Sequence, residues 1–217
     1  MTEPSTVVRR AHWLGDRAVL VALVDGDHRA ALVEALEIRF PDLAVRAGME
    51  SVLVESAEPT PHLLQDVREA LTHVEPTNIP KQSGGRVVTI PVSYVGEDLD
   101  AVADRLGVTA ADVVRAHQRQ RWTVAMMGFA PGFGYLVPLD APVLDWAGLA
   151  RRDRPREQVP AGSVAIAAGM SAVYPAAMPG GWHLIGSTDR LLFDQRAETD
   201  PTILHPGDEV RFEGDAR

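Results

Sequence analysis

The sequence contains no cysteine. That absence excludes disulfide frameworks, thiolate nucleophiles and cysteine-ligated zinc or iron–sulfur centres. It has a single lysine, Lys81, so the rest of its 21 basic residues are arginines. Schiff-base chemistry would fall to Lys81, which stands among turn-forming residues rather than in an apolar pocket. Neither a Walker G-x-x-x-x-G-K-S/T nor a G-x-S-x-G nucleophile elbow occurs. No His-x-x-x-His pair or acidic cluster has ligand spacing, and no metal is expected. No apolar run approaches the roughly 20 residues that span a bilayer. The opening MTEPSTVVRRAHW lacks a signal peptide's apolar stretch. The expectation is a cytoplasmic protein without a membrane partner.

Positive charge is also scarce. Thirty acidic residues leave a net charge of −9, which repels phosphate backbones and argues against nucleic acid as a partner. The 217 residues are 46% apolar, enough for one large domain or two small ones.

The segment Glu75–Gly85, with two prolines and two adjacent glycines, reads as a linker between differently patterned regions. Before it, Ala18–Val24 reads as a strand, His28–Ile38 as a helix, Leu43–Arg46 and Ser51–Glu55 as strands. Leu63, Val67, Leu71 and Val74 mark a second helix. This predicts an α+β layer with both helices on one face of a sheet. After the linker, Arg86–Tyr94 reads as a strand rich in β-branched residues. Two short helices follow. Gly107 is placed to end the first, and Thr109-Ala-Ala-Asp112 resembles a capping box opening the second. From Arg121 onward, short β-type runs separated by Pro and Gly predict a barrel or sandwich.

Chemistry is concentrated in a few stretches. Met127-Gly-Phe-Ala-Pro-Gly-Phe-Gly-Tyr-Leu136 interleaves three aromatics with glycines, which permit positive φ and close approach to a ligand. It reads either as the wall of a pocket or as a tight turn packing two Phe rings. His117 projects from the apolar side of its helix, three and four residues after Val114 and Val113. It is either a buried histidine with ordinary partners or a general base at the mouth of a pocket. Four arginines crowd Arg151–Arg156, where guanidinium groups suit carboxylates or phosphates, or form a solvated loop. Arg156 leads into Gln158–Ser163, where Ser163 offers a hydroxyl and an amide to an anion, or caps a turn. Pro179-Gly-Gly-Trp182, with Tyr174 and His183 nearby, suggests a recognition edge or a core indole. No self-sufficient catalytic constellation emerges from these residues alone.

Taken in order, His117, Gly128-Phe-Ala-Pro-Gly-Phe133, Tyr135-Leu136, Pro155-Arg156, Val159–Ser163, Tyr174-Pro175, Pro179–Trp182, Leu184-Ile-Gly186 and Pro206-Gly-Asp208 carry a family likeness. The chain resembles the KipI-like family, the B subunits of bacterial 5-oxoprolinase, whose older label is allophanate hydrolase subunit 1. The likeness extends to Gly15–Val21 and Ile90–Tyr94. The resemblance implies an α+β protein: an N-terminal α+β domain over 1–78, a linker at 79–86, and a cyclophilin-like β-barrel domain over 87–217. It implies a subunit of an ATP-dependent 5-oxoprolinase-type amidohydrolase, converting 5-oxo-L-proline to L-glutamate with a C-subunit partner and a third subunit. ATP is the implied co-substrate, with the subunit that binds it left open, and the isolated chain is expected to be inactive. Two alternatives stand beside this one: a non-catalytic inhibitor of a histidine kinase, and a subunit of a urea- or allophanate-processing amidohydrolase.

Within that scheme His117 moves or positions a proton, while Arg156 and backbone amides near Gly132 and Ser163 hold developing negative charge. Phe129, Pro131, Gly132, Phe133, Ser163, Tyr174, Gly180, Gly181 and Trp182 are the expected contacts to a small amide or lactam. Three positions depart from the family pattern: Gly134 stands for Pro, Met170 for Gln and Ser187 for Arg. The first is expected to loosen a turn, the other two to remove polar groups near the substrate.

Overall fold

Strand β1 (Val8–Leu14) runs antiparallel to β2 (Ala18–Leu23), where Val19, Val21 and Leu23 are buried on alternate positions. Helix α1 (Arg29–Arg39) leads to β3 (Ala44–Ala47), then β4 (Ser51–Glu55) and helix α2 (Leu63–Thr72). The four strands form one antiparallel sheet, ordered β1-β2-β4-β3. Leu32 and Leu36 of α1 and Leu63, Val67 and Leu71 of α2 join Val19, Val21, Val52 and Val54 in one buried cluster. Both helices therefore cover the same face. The structure, a computed structural model, describes residues 7–24, 28–73 and 85–214. Its chain falls into two units, Met1–Ser83 and Gly84–Arg217. Most of the stretch read as a linker, with Lys81, lies outside the described residues.

Strand β1 has no counterpart in the sequence reading. Arg9, Arg10 and His12 interrupt its apolar alternation, and Ala11 is its only fully buried residue. An edge strand needs little more, because its ladder to β2 supplies the rest of its stabilisation.

The second unit begins with β5 (Val87–Pro91) and helices α3 (Leu99–Leu106) and α4 (Ala110–Arg119). Gly107 ends α3 in the left-handed region at φ 68°. The capping box of α4 is complete, with Thr109 Oγ1 accepting from Asp112 N and an Asp112 carboxylate oxygen accepting from Thr109 N, both at 3.1 Å. Then come β6 (Trp122–Met127), β7 (Gly134–Pro138), a 3-10 turn (Trp146–Gly148), β8 (Arg156–Val159) and β9 (Ser163–Ala167). Strands β10 (Met170–Val173), β11 (Met178–Gly180), β12 (His183–Ser187) and β13 (Glu209–Glu213) complete the chain.

Seven of these strands form one sheet in the order β12-β9-β10-β7-β6-β13-β5, with only β13 and β5 parallel. Its two edges meet. Just beyond β5, Ser93 exchanges both backbone hydrogen bonds with Ser187 at the end of β12, at 2.8 and 2.9 Å. That bridge curls the sheet back on itself, as an apolar lining requires if no edge is to be left unpaired.

Strands β9 and β10 are apolar on both faces. Val164, Ile166 and Val173 join a core with Val113, Trp122, Leu136, Trp146, Ile185 and Phe212. Ala165, Ala167 and Ala172, on the opposite face, pack instead against Phe133, Tyr174 and Trp182. Period-two alternation thus gives this sheet a second, smaller core on its other side.

Candidate functional site

The second core is built around the loop that joins β6 to β7. Three backbone bonds fold it on itself: Gly128 N to Phe133 O, Ala130 N to Gly128 O, and Phe133 N to Ala130 O, at 3.1, 2.8 and 3.0 Å. Two residues adopt positive φ, Gly132 at 81° and, unusually for a residue with a side chain, Phe129 at 69°. A Cβ on Gly132 would stand 2.7 Å from Phe193 Cβ, so glycine is needed for space as well as conformation. The loop buries the Phe133 ring and leaves Phe129 63% exposed. Pro131, at its tip, is exposed.

Phe133 is the hub of an aromatic cluster. Its ring meets Phe129, Tyr135, Tyr174 and Trp182 edge to face, with centroids 5.0–6.1 Å apart. Tyr135 also meets Trp182 at 6.0 Å, and the Arg151 guanidinium lies 5.8 Å from the Trp182 ring centroid. Gly180 completes the fit, since a Cβ there would stand 2.2 Å from the Tyr174 hydroxyl. At Gly181 an added Cβ would only touch Pro155, at 3.6 Å, so glycine is not demanded by space. Burial raises the Tyr174 hydroxyl pKa, against the opposing pull of the Trp182 amide and the Arg151 charge.

The structure thus brings together Phe129, Phe133, Tyr174, Gly180 and Trp182, from stretches distant in sequence. Tyr135 and Arg151 adjoin the same cluster. Met170, at one of the departing positions, packs partly buried against it. Gly134 does not lie in a turn as the sequence suggested. It opens β7 opposite Met127, with 3.2 Å between a would-be Cβ and Leu204 Cδ1. Ser187 sits at the bridge closing the sheet, with its side chain exposed.

His117 is elsewhere. It is fully buried in the larger core, stacked on Phe212 at 4.4 Å, on the other side of β9 and β10 from the aromatic cluster. The expectation of an imidazole at the mouth of a pocket is corrected: α4 packs its apolar side, His117 included, inward. Both ring nitrogens are engaged, Nδ1 with Tyr94 Oη and Nε2 with Ser171 Oγ, each at 2.9 Å. Ser171 Oγ donates its one proton to Ala165 O at 3.2 Å. It must therefore accept from Nε2–H, leaving Nδ1 to accept from the Tyr94 hydroxyl. The result is a directed, fully satisfied Tyr–His–Ser chain.

This network has a pH signature. Burial holds the His117 imidazole at about 3, against an ordinary value of 6.5. The unfolded chain takes up that proton first, so the stability is fully present above pH 6.5 and fades as the pH falls towards 3. At pH 4.5 the expected loss from this residue is about 2–3 kcal/mol. Urea unfolding at pH 7 and pH 4.5 checks it. His117→Gln, whose amide can both donate and accept, should lose visibly less between the two. Equal losses would remove His117 as the cause.

Arg156 opens β8 and is mostly buried, but it is paired within the protein. Both Asp98 oxygens accept from its Nη2 at 2.9 Å, Glu97 pairs with its Nε at 2.7 Å, and Trp182 O accepts from Nη1 at 3.4 Å. Arg152 adds a bond to Asp98 at 2.8 Å, and Leu184 N donates to the same carboxylate at 2.7 Å. Burial pushes the Asp98 carboxyl up, but these partners, Arg156 foremost, hold it below the usual carboxylate range. Asp98 directly precedes α3, yet its side chain caps nothing there and clamps β12 to the arginines. Nothing in the sequence marked it. The Ser163 backbone amide donates to Pro160 O at 3.3 Å and so closes a turn.

The described residues therefore offer a buried aromatic cluster with Phe129 exposed at its edge and ordered backbone around it, and no exposed nucleophile–base pair beside it. Among them no group of three or more His, Asp or Glu side chains could hold a metal ion. No described helix is long and apolar enough to cross a membrane.

The chain is similar to known proteins. The family described as carboxyltransferase domain, subdomains C and D, matches residues 9–204. The B subunit of 5-oxoprolinase from Escherichia coli O157:H7 is 45% identical over 130 residues, covering 58% of this chain and 57% of that protein. The crystal structure of TTHA0988 superposes with a TM-score of 0.72 at 31% identity, over 93% of this chain and 40% of that one. The urea carboxylase of Kluyveromyces lactis shares the fold, with a TM-score of 0.73 at 18% identity, over 100% of this chain and 22% of that one. This chain therefore spans little more than half of its E. coli relative and less of the larger proteins.

Proposed function

The chain belongs to the family of the carboxyltransferase domain, subdomains C and D, and from that premise we propose that it is a subunit of an ATP-dependent 5-oxoprolinase-type amidohydrolase. Its contribution is one wall of a cleft for a small amide or lactam, completed by a C-subunit partner. The observation that carries this reading is the convergence of Phe129, Phe133, Tyr174 and Trp182 in one cluster that leaves Phe129 exposed, beside Gly132 and Gly180. A flat lactam ring matches the exposed Phe129 ring, which the buried rings hold in place, and the amides of its loop lie within the same short segment. The similarity to the B subunit of 5-oxoprolinase supports the choice of substrate.

Opening a lactam must overcome amide resonance. In this reading the γ-phosphoryl group of ATP passes to the lactam oxygen and ADP departs. Water then attacks the activated carbon, the C–N bond breaks with proton uptake by nitrogen, and phosphate leaves. The sequence lacks a Walker loop, and we assign ATP to no residue of this chain. The chain's residues bind and orient the ring and exclude water around it. Arg156 and His117 act as positioning residues. Arg156 holds Trp182 and β12 through Asp98, and His117 holds β10 from the core side.

The test is ATP-dependent glutamate release from 5-oxo-L-proline by the assembled subunits. The chain alone is expected to release none. Trp182→Ala in the complex is expected to lower the rate at least about 100-fold, the scale of a lost positioning contact. Full turnover by the lone chain, or an unchanged rate in the variant, would overturn the reading.

A further inference from the structure

A second cleft, of about 310 Å³, lies between α3 and the loop preceding β8, lined by Asp98, Arg105, Arg152, Asp153, Arg154 and His183. Its walls are held in place. Arg152 N donates to Gly181 O at 2.8 Å, His183 Nε2 donates to Ala150 O at 2.9 Å, and Arg152 Nη1 bonds Asp98 at 2.8 Å. The loop from Ala150 to Arg152 is thereby fastened to the start of β12 and to the residue before α3.

The charges within it are unequally matched. Asp98 is fully engaged by Arg152, Arg156 and the Leu184 amide. Arg152 Nε is buried without a partner. Arg105 and Arg154 are exposed and make no hydrogen bond or ion pair among the described residues. Asp153 is the one remaining carboxylate in the lining. A chain with a net charge of −9 thus presents two uncommitted guanidinium groups around a concavity large enough for a small molecule. Guanidinium forks match the paired oxygens of carboxylate and phosphate, and the acidic remainder of the surface disfavours such groups elsewhere.

We propose that this cleft is a binding site for a small molecule bearing a carboxylate or phosphate group, held by Arg105 and Arg154 over the fixed Arg152–Asp98 floor. None of the clustered aromatic residues lines the cleft, and the proposal does not depend on the amidohydrolase reading, since it is read by binding to the chain itself.

Amide NMR of the full chain at low ionic strength, titrated separately with inorganic phosphate and with succinate, tests it. At least one anion is expected to shift the amides of Arg105, Arg152, Asp153, Arg154 and His183 in a saturable way. Phosphate alone doing so identifies a phosphate ligand, succinate alone a carboxylate. Arg105→Gln combined with Arg154→Gln should raise the Kd at least tenfold. Asp153→Asn, which removes the opposing charge, should lower it about threefold, a gain that damage to the fold could not produce. The proposal is overturned if neither anion moves these amides, if the double variant binds as the unaltered chain does, or if Asp153→Asn fails to tighten binding.

Discussion

Replacing Phe133 with alanine is expected to lower the unfolding free energy of the Gly84–Arg217 unit by about 3–5 kcal/mol, the range for emptying a buried aromatic site. The ring is fully buried and meets four other aromatic rings, so its removal deprives each of them of an edge-to-face neighbour. The cavity cannot readily collapse, because the alanines beneath it, Ala165, Ala167 and Ala172, belong to strands whose other face is the main core. Phe133→Leu, which refills part of the volume, should cost about half as much. The urea midpoint measured by tryptophan fluorescence reports both variants, with Trp182 reporting the cluster directly. A loss below about 1 kcal/mol for alanine would mean that the rings are not packed as described.

Asp98→Ala is expected to act nearly as strongly by another route. Asp98 is 7% exposed at its side chain and Arg156 16%, so removing the carboxylate leaves a mostly buried guanidinium without its bidentate partner. It also leaves the Leu184 amide without an acceptor. Breaking one side of a buried pair costs about 3–5 kcal/mol, and the greater exposure of Arg152 places the expectation at about 2–4 kcal/mol. Arg156→Ala should lose a similar amount, and the double variant distinctly less than the two losses combined. Additive losses from the two single changes would show that the ion pair is not the clamp proposed for β12.

Elements with a clear local signal were legible in the chain itself. The helices α1 to α4 follow apolar spacing, Gly107 ends α3, and Thr109 with Asp112 forms the expected capping box. The glycine- and aromatic-rich turns were equally visible, and their residues do converge. What the sequence could not supply was sidedness. Whether His117 and Phe133 share a cavity depends on which faces of β9 and β10 they meet, and those strands are buried on both. A strand without alternation carries no record of which face is which. Asp98 escaped for a related reason. Its partners lie 54, 58 and 86 residues away, so no local pattern in the sequence records them. Strand β1 was hidden by its charged residues, which solvent tolerates on a sheet edge.

The central claim is that the β6–β7 loop, with Phe129 exposed over the buried aromatic cluster, is one wall of a shared cleft. Hydrogen–deuterium exchange of the chain, alone and assembled with its C-subunit partner, tests it most directly. The account predicts protection on assembly over residues 128–133 and 180–182, with Phe129 passing from exposed to covered and β1–β4 exchanging as before. Assembly that leaves both segments exchanging as in the free chain would contradict it.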